Sequence, residues 1–118
     1  MRAYELMIIF DGDLEEEAVA ASLSKATASI EAEGGRVVSM LDTEPWGRRR
    51  FDYRINNKWE GVYVVLEVVT EANDLATIDR NLRLADRSEV VRHKIIRLPD
   101  SEVGRRGLLG EGEPATAD

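Results

Sequence analysis

Apolar and polar side chains alternate from the first residues of the chain. Over residues 3–10, Tyr4, Leu6, Ile8 and Phe10 fall on one face and Ala3, Glu5, Met7 and Ile9 on the other, the period of a strand. Asp11-Gly12-Asp13 turns the chain, and Asp13 with Glu16 has the spacing of a capping box. The period then changes to that of a helix: Val19, Leu23, Ala26 and Ile30 make one buried stripe, ended by Gly34-Gly35. Arg36 to Leu41 begins a second strand, which Pro45 and Gly47 interrupt as a bulge or bend before pairing resumes through Arg49 to Ile55. Asn56 to Gly61 reads as the connection to a third strand, Val62 to Val69, whose near-continuous apolar character suits a central position. Asn73 and Asp74 open a second helix that buries Leu75, Ile78, Leu82 and Ala85. Val90 to Leu98 is a fourth strand, stopped by Pro99.

The order β-α-β-β-α-β, with two right-handed crossovers around one hairpin, predicts a ferredoxin-like α+β fold. Its four-stranded antiparallel sheet carries both helices on one face, with the first and third strands central. Residues 1–98 form this domain. Residues 99–118, rich in Gly, Glu and Ala, offer only Val103, Leu108 and Leu109 for docking and are expected to be a mostly disordered acidic tail. The sheet face opposite the helices should present Met7, Ile9, Tyr63, Val65 and Glu67, and an uncovered apolar face of this kind usually has a partner.

Charge changes the picture most. The chain has a net charge of −7, which by itself argues against a polyphosphate ligand. The distribution is uneven, however: residues 1–45 carry −7, residues 46–97 carry +3 and residues 98–118 carry −3. Within Pro45 to Lys58, five basic residues and one acidic residue are interleaved with Trp46, Phe51 and Tyr53. Exposed charges are screened over about 8 Å at physiological salt, so a local basic surface acts independently of acid on the far side. Arginine forks beside aromatic faces suit phosphates and bases; an exposed strand whose arginines pair with nearby carboxylates fits the same residues.

Catalytic chemistry finds little support. Cysteine is absent, which removes disulfides, thiolate catalysis and cysteine metal sites and points to the cytosol. His93 is the single histidine, and a lone strand histidine is usually a core or rim residue. Asp11, Asp13 and Glu15 to Glu17 belong to a turn and a helix start, and no metal site is expected. The glycines fit no dinucleotide or Walker pattern. No apolar run approaches the roughly 20 residues that cross a bilayer, and Leu6 to Phe10 is too short for a signal segment. No catalytic residue, cofactor, small-molecule substrate or membrane partner is expected. Open-sheet RNA binders stack bases on aromatics of the first and third strands, and here Tyr63 stands alone in that role.

Met1 to Glu5, Glu33-Gly34-Gly35-Arg36-Val37, Trp46-Gly47-Arg48-Arg49-Arg50-Phe51-Asp52-Tyr53-Arg54-Ile55-Asn56 and Val90 to Arg97 together resemble the bacterial small ribosomal subunit protein six family. The resemblance covers about residues 1–98 and implies a non-enzymatic, cytoplasmic, ribosome-bound protein. It implies binding to the central domain of the small-subunit RNA together with small ribosomal subunit protein eighteen. Carried over by position, the RNA side comprises Arg2, Tyr4, Trp46, Arg48, Arg49, Arg50, Tyr53, Arg87 and Arg92. The protein partner would take the exposed second strand and the open face at Met7, Ile9, Tyr63 and Val65. A homodimeric ferredoxin-like sensor of small molecules, associating through that face, is the alternative of a different class.

Overall fold

The alternating first strand becomes the middle of the sheet. The computed structural model describes residues 2–42, 47–55, 58–71 and 75–107, with the backbone alone at 52–54 and 58. Its elements are β1 (Arg2–Asp11), α1 (Glu16–Ala32), β2 (Arg36–Leu41), β3 (Gly47–Ile55), β4 (Lys58–Thr70), α2 (Ala76–Leu84), β5 (Val90–Arg97) and α3 (Asp100–Arg106). Across the sheet the order is β2-β4-β1-β5, all antiparallel, with β3 paired to the first half of β4.

The ferredoxin-like arrangement stands, with five strands in place of four. The expected kinked second strand is two segments on one edge of β4: β2 against residues 65–69 and β3 against 58–63. Gly47, where β3 begins, has a φ of 93°, a conformation that favours glycine. Pro45, to which the interruption was also ascribed, lies outside the described residues. The connection after β3 is shorter than its composition suggests, because Lys58 to Gly61 already belong to β4.

Side-chain alternation sorts the sheet as the pattern requires. Tyr4, Leu6, Ile8 and Phe10 meet Val64, Leu66 and Val68 and pack beneath Leu23, Ala26 and Ile30 of α1 and Ile78 and Leu82 of α2. The start of α1 differs from expectation. Asp11 takes the turn, its Oδ1 accepting the Asp13 N–H at 2.8 Å, and the helix begins at Glu16 without a side-chain cap. Asp13 therefore sits inside the turn, too early to close a box with Glu16. Asn73 and Asp74, expected to open α2, lie outside the described residues.

The second face of the sheet is not bare. At one end Phe51 of β3 packs with Ile9 and Val91, edge-on to Tyr63 at 6.2 Å between centroids. At the other end α3 lays Val103 against Ala3, Val69 and Leu98, with Val38 alongside. The segment expected to be a mostly disordered tail thus begins with a helix over Asp100–Arg106, docked through Val103. A helix of seven residues is too short to hold alone; one buried valine and the ion pairs of Arg106 hold it. Residues 108–118 of the expected tail lie outside the described residues.

Candidate nucleic-acid and partner interface

The arginine block is divided by the pleat of β3. Arg49 is opposite Gly61 and so shares the non-helical face, where its guanidinium lies 5.6 Å from the centroid of Tyr63. Arg48, opposite Val62, points the other way: its Nη1 donates to the Gly12 carbonyl at 2.9 Å and pairs with Glu60 at 3.3 Å. Arg50 lies over the ring of Trp59, 5.2 Å from its centroid, and Trp59 is 47% exposed. Among the described residues, only the Arg48 member of this block is engaged by a carboxylate, in an exposed pair of the kind that contributes about 0–1 kcal/mol. Cation–π contacts leave the outward N–H groups of Arg49 and Arg50 available to an anion.

β5 brings a second set of cations to the same face as Arg49. A bulge in its pairing places both Val91 and Arg92 opposite Ile9. Val91 is buried while Arg92 is exposed. Lys94 then stands opposite Met7. The result is a strip across four strands, running from Arg49 past Tyr63 and Met7 to Arg92 and Lys94. Lys94 was missed in the sequence, although two residues from Arg92 on a strand is the spacing of one face.

Other expected RNA residues fare differently. Tyr4 is 4% exposed and belongs to the helix-side core, because its parity is that of Leu6 and Ile8; it is corrected to a packing residue. Arg2 reaches the Glu71 carbonyl at 3.5 Å. Arg87 is exposed but spends an Nη1 donor on the Val91 carbonyl at 2.9 Å, fixing the turn before the bulge. Trp46 and the side chain of Tyr53 lie outside the described residues. Of the expected partner residues, Ile9 (6% exposed) and Val65 (1%) are covered within the chain, which corrects their reading as open surface; Met7 and Tyr63 remain half-buried.

A second apolar surface lies at the β2 edge, where Met40, opposite Leu66 on the helix side, and Leu41, opposite Val65 on the other face, are both exposed. Between this edge and α1 runs a groove of about 690 Å³, with Leu14, Val19, Leu23 and Met40 among its walls and Glu16, Glu31, Asp42 and Arg48 at its polar margin.

His93 has a structural partner. Its Nε2 lies 2.7 Å from Asp79 Oδ1, joining β5 to α2. Asp79 is also bound by Arg83, and its carboxyl is held below the usual carboxylate range, chiefly by the hydrogen bond with His93. Among the described residues no group of three or more His, Asp or Glu side chains is arranged to hold a metal ion. None of their helices is long and apolar enough to cross a membrane.

Residues 3–97 match the family model described as Ribosomal protein S6. This chain belongs to the ribosomal protein S6 family. It is similar to small ribosomal subunit protein bS6 of Salinispora tropica, 43% identical over 97 residues covering 82% of this chain and 96% of that protein. The bS6 of Corynebacterium aurimucosum is 40% identical over the same length and the same shares. The crystal structure of 30S ribosomal protein S6 from Thermotoga maritima superposes with a TM-score of 0.77 at 25% identity, covering 89% of this chain and 94% of that one. Membership makes the chain a structural, non-enzymatic protein of the small ribosomal subunit, cytoplasmic with the ribosome. In this S6-family chain the match ends at residue 97, so α3 lies beyond the residues that the family model covers.

Proposed function

We propose that this chain binds the central domain of the small-subunit ribosomal RNA jointly with small ribosomal subunit protein eighteen, acting as a scaffold in the particle. The observation that carries the RNA side is the basic strip of Arg49, Arg92 and Lys94 around Tyr63 and Met7 on one face of an otherwise acidic body. Phosphate binding of this kind depends on a few local cations and falls steeply with salt. Arg50, opposite Glu60, has the parity of Arg48 and reaches the Trp59 ring beside the strip; with Arg2 and Arg87 it is an outlying contributor.

The protein partner is better served by the β2 edge. Ile9 and Val65 are covered, whereas β2, an edge strand among the described residues, sets Met40 and Leu41 beside the groove against α1. A segment of the partner adding to that edge would gain main-chain hydrogen bonds and an apolar seat together. Arg48 stands at the groove and Arg49 on the strip, which supports a division of the block between protein and RNA. A sensor dimer formed through the open face finds less apolar surface than it needs, since α3 and Phe51 occupy both ends of it.

The test is ternary assembly on a transcript of the central domain. Replacing Arg48, Arg49 and Arg50 together by Ala is expected to leave the fold intact and to reduce assembly, flattening the salt dependence by roughly one to two units of slope. Unchanged assembly at matched salt overturns the reading.

A further inference from the structure

Glu5 and Glu67 stand directly opposite each other on the two central strands. Like charges in this position repel, and they would set two negative charges in the middle of the face that carries the basic strip. Both are instead drawn to one guanidinium. Arg106 Nη1 lies 3.1 Å from Glu5 Oε2 and 2.9 Å from Glu67 Oε2, while its Nε donates to Glu102 Oε1 at 2.9 Å. Ser39 Oγ donates to the other oxygen of Glu67 at 2.5 Å. Burial works against the charge on Arg106, yet its hydrogen bonds to Glu5, Glu102 and Glu67 outweigh that and raise its pKa.

The position of Arg106 is set by α3, whose Val103 is buried among Ala3, Val69 and Leu98. The helix adds no net charge of its own, because Asp100 and Glu102 balance Arg105 and Arg106. One row along the sheet from Glu5, Lys94 pairs with Met7. Diagonal neighbours across a strand pair are about 7–8 Å apart. That is within one screening length at physiological salt, so an uncompensated Glu5 would compete with phosphate for Lys94.

We infer that Arg106 is a positioning residue for RNA binding: from α3 it holds Glu5 and Glu67 inward, so that the adjoining sheet face meets phosphate as a basic surface. This rests on the RNA reading above. α3 is then a mask over the acidic part of the sheet, and its release sets two carboxylates against the cations of the strip and weakens the hold on an anion.

The experiment measures binding of the full chain to a transcript of the central domain of small-subunit RNA across a salt series. Arg106→Gln is expected to weaken binding about three- to tenfold at 0.1 M salt, the effect of two like charges restored at this range. Adding Glu5→Gln and Glu67→Gln to that variant restores wild-type affinity, even where hydrogen exchange shows α3 released. Arg92→Ala with Lys94→Ala in the wild-type background tests the underlying reading separately, and undiminished binding there removes the RNA reading and the mask with it. If that pair does weaken binding, wild-type affinity in Arg106→Gln overturns the mask. So does failure of the Glu5 and Glu67 changes to rescue it, which leaves Arg106 a purely structural residue.

Discussion

The ring of Phe51 lies where a side chain on Gly61 would be: a Cβ built there stands 2.6 Å from Phe51 Cζ and 2.9 Å from Ile9 Cγ2. β3 can thus turn an aromatic residue onto the sheet only because its neighbour on β4 has none. Gly61→Ala is expected to destabilise the domain by about 1–3 kcal/mol through overpacking. Urea denaturation reads this directly, and a variant as stable as the wild type shows that the ring relocates without cost. The same substitution should displace Arg49, since Phe51 abuts the Tyr63 ring on which Arg49 lies.

The pleat predicts unequal arginines. Arg49→Ala should lower the salt slope of RNA binding by about one unit. Arg48→Ala, whose guanidinium is turned toward Gly12 and Glu60, should leave that slope unchanged and impair assembly with the protein partner. Salt titrations of the two single variants on RNA alone separate them; equal slopes contradict the division.

Asp79 should govern part of the acid limb of stability. Its carboxyl titrates lower in the folded chain than in the unfolded one, chiefly through the His93 hydrogen bond, with Arg83 assisting against a desolvation that opposes it. A depressed carboxylate stabilises the fold fully above its unfolded pKa, and the contribution is lost as pH falls through the folded value. The window therefore lies below about pH 4. Asp79→Asn is expected to shallow the fall in urea midpoint across that window relative to wild type. An unchanged slope shows that other carboxylates carry it.

α3 should open before the rest. Its attachment is one buried valine and a set of partly exposed ion pairs, whereas β1 and β4 are central and fully packed. Amides of 100–106 are expected to exchange far faster than those of Leu6, Ile8, Leu66 and Val68. Val103→Asp should abolish protection in α3 while leaving the central strands protected. Loss of protection in both shows that α3 is integral to the core.

Much of this was legible in the chain, for a local reason. Strand parity needs only a two-residue period, so the division between Leu6, Ile8, Val64 and Leu66 on one face and Met7, Ile9, Tyr63 and Val65 on the other could be read directly. Burial of Ile9 could not, because Phe51 and Val91, which pack on it, arrive from other parts of the chain. The His93–Asp79 pair joins a strand to a helix and leaves no spacing signal in either. The bulge that turns Val91 and Arg92 to one face is likewise invisible to a pattern of strict alternation.

By itself the sequence determined the order of elements as far as β5 with β2 and β3 read as one strand, the sheet with α1 and α2 on one side, the two candidate faces and the basic block, because each follows from short-range periodicity and local composition. Tertiary structure alone decided what those faces display. Arg106 meets Glu5 and Glu67 across separations of 101 and 39 residues, and a seven-residue helix with one apolar anchor has too little intrinsic preference to announce itself. Where a charge is compensated depends on which strands become neighbours, and that is fixed only when the chain closes on its core.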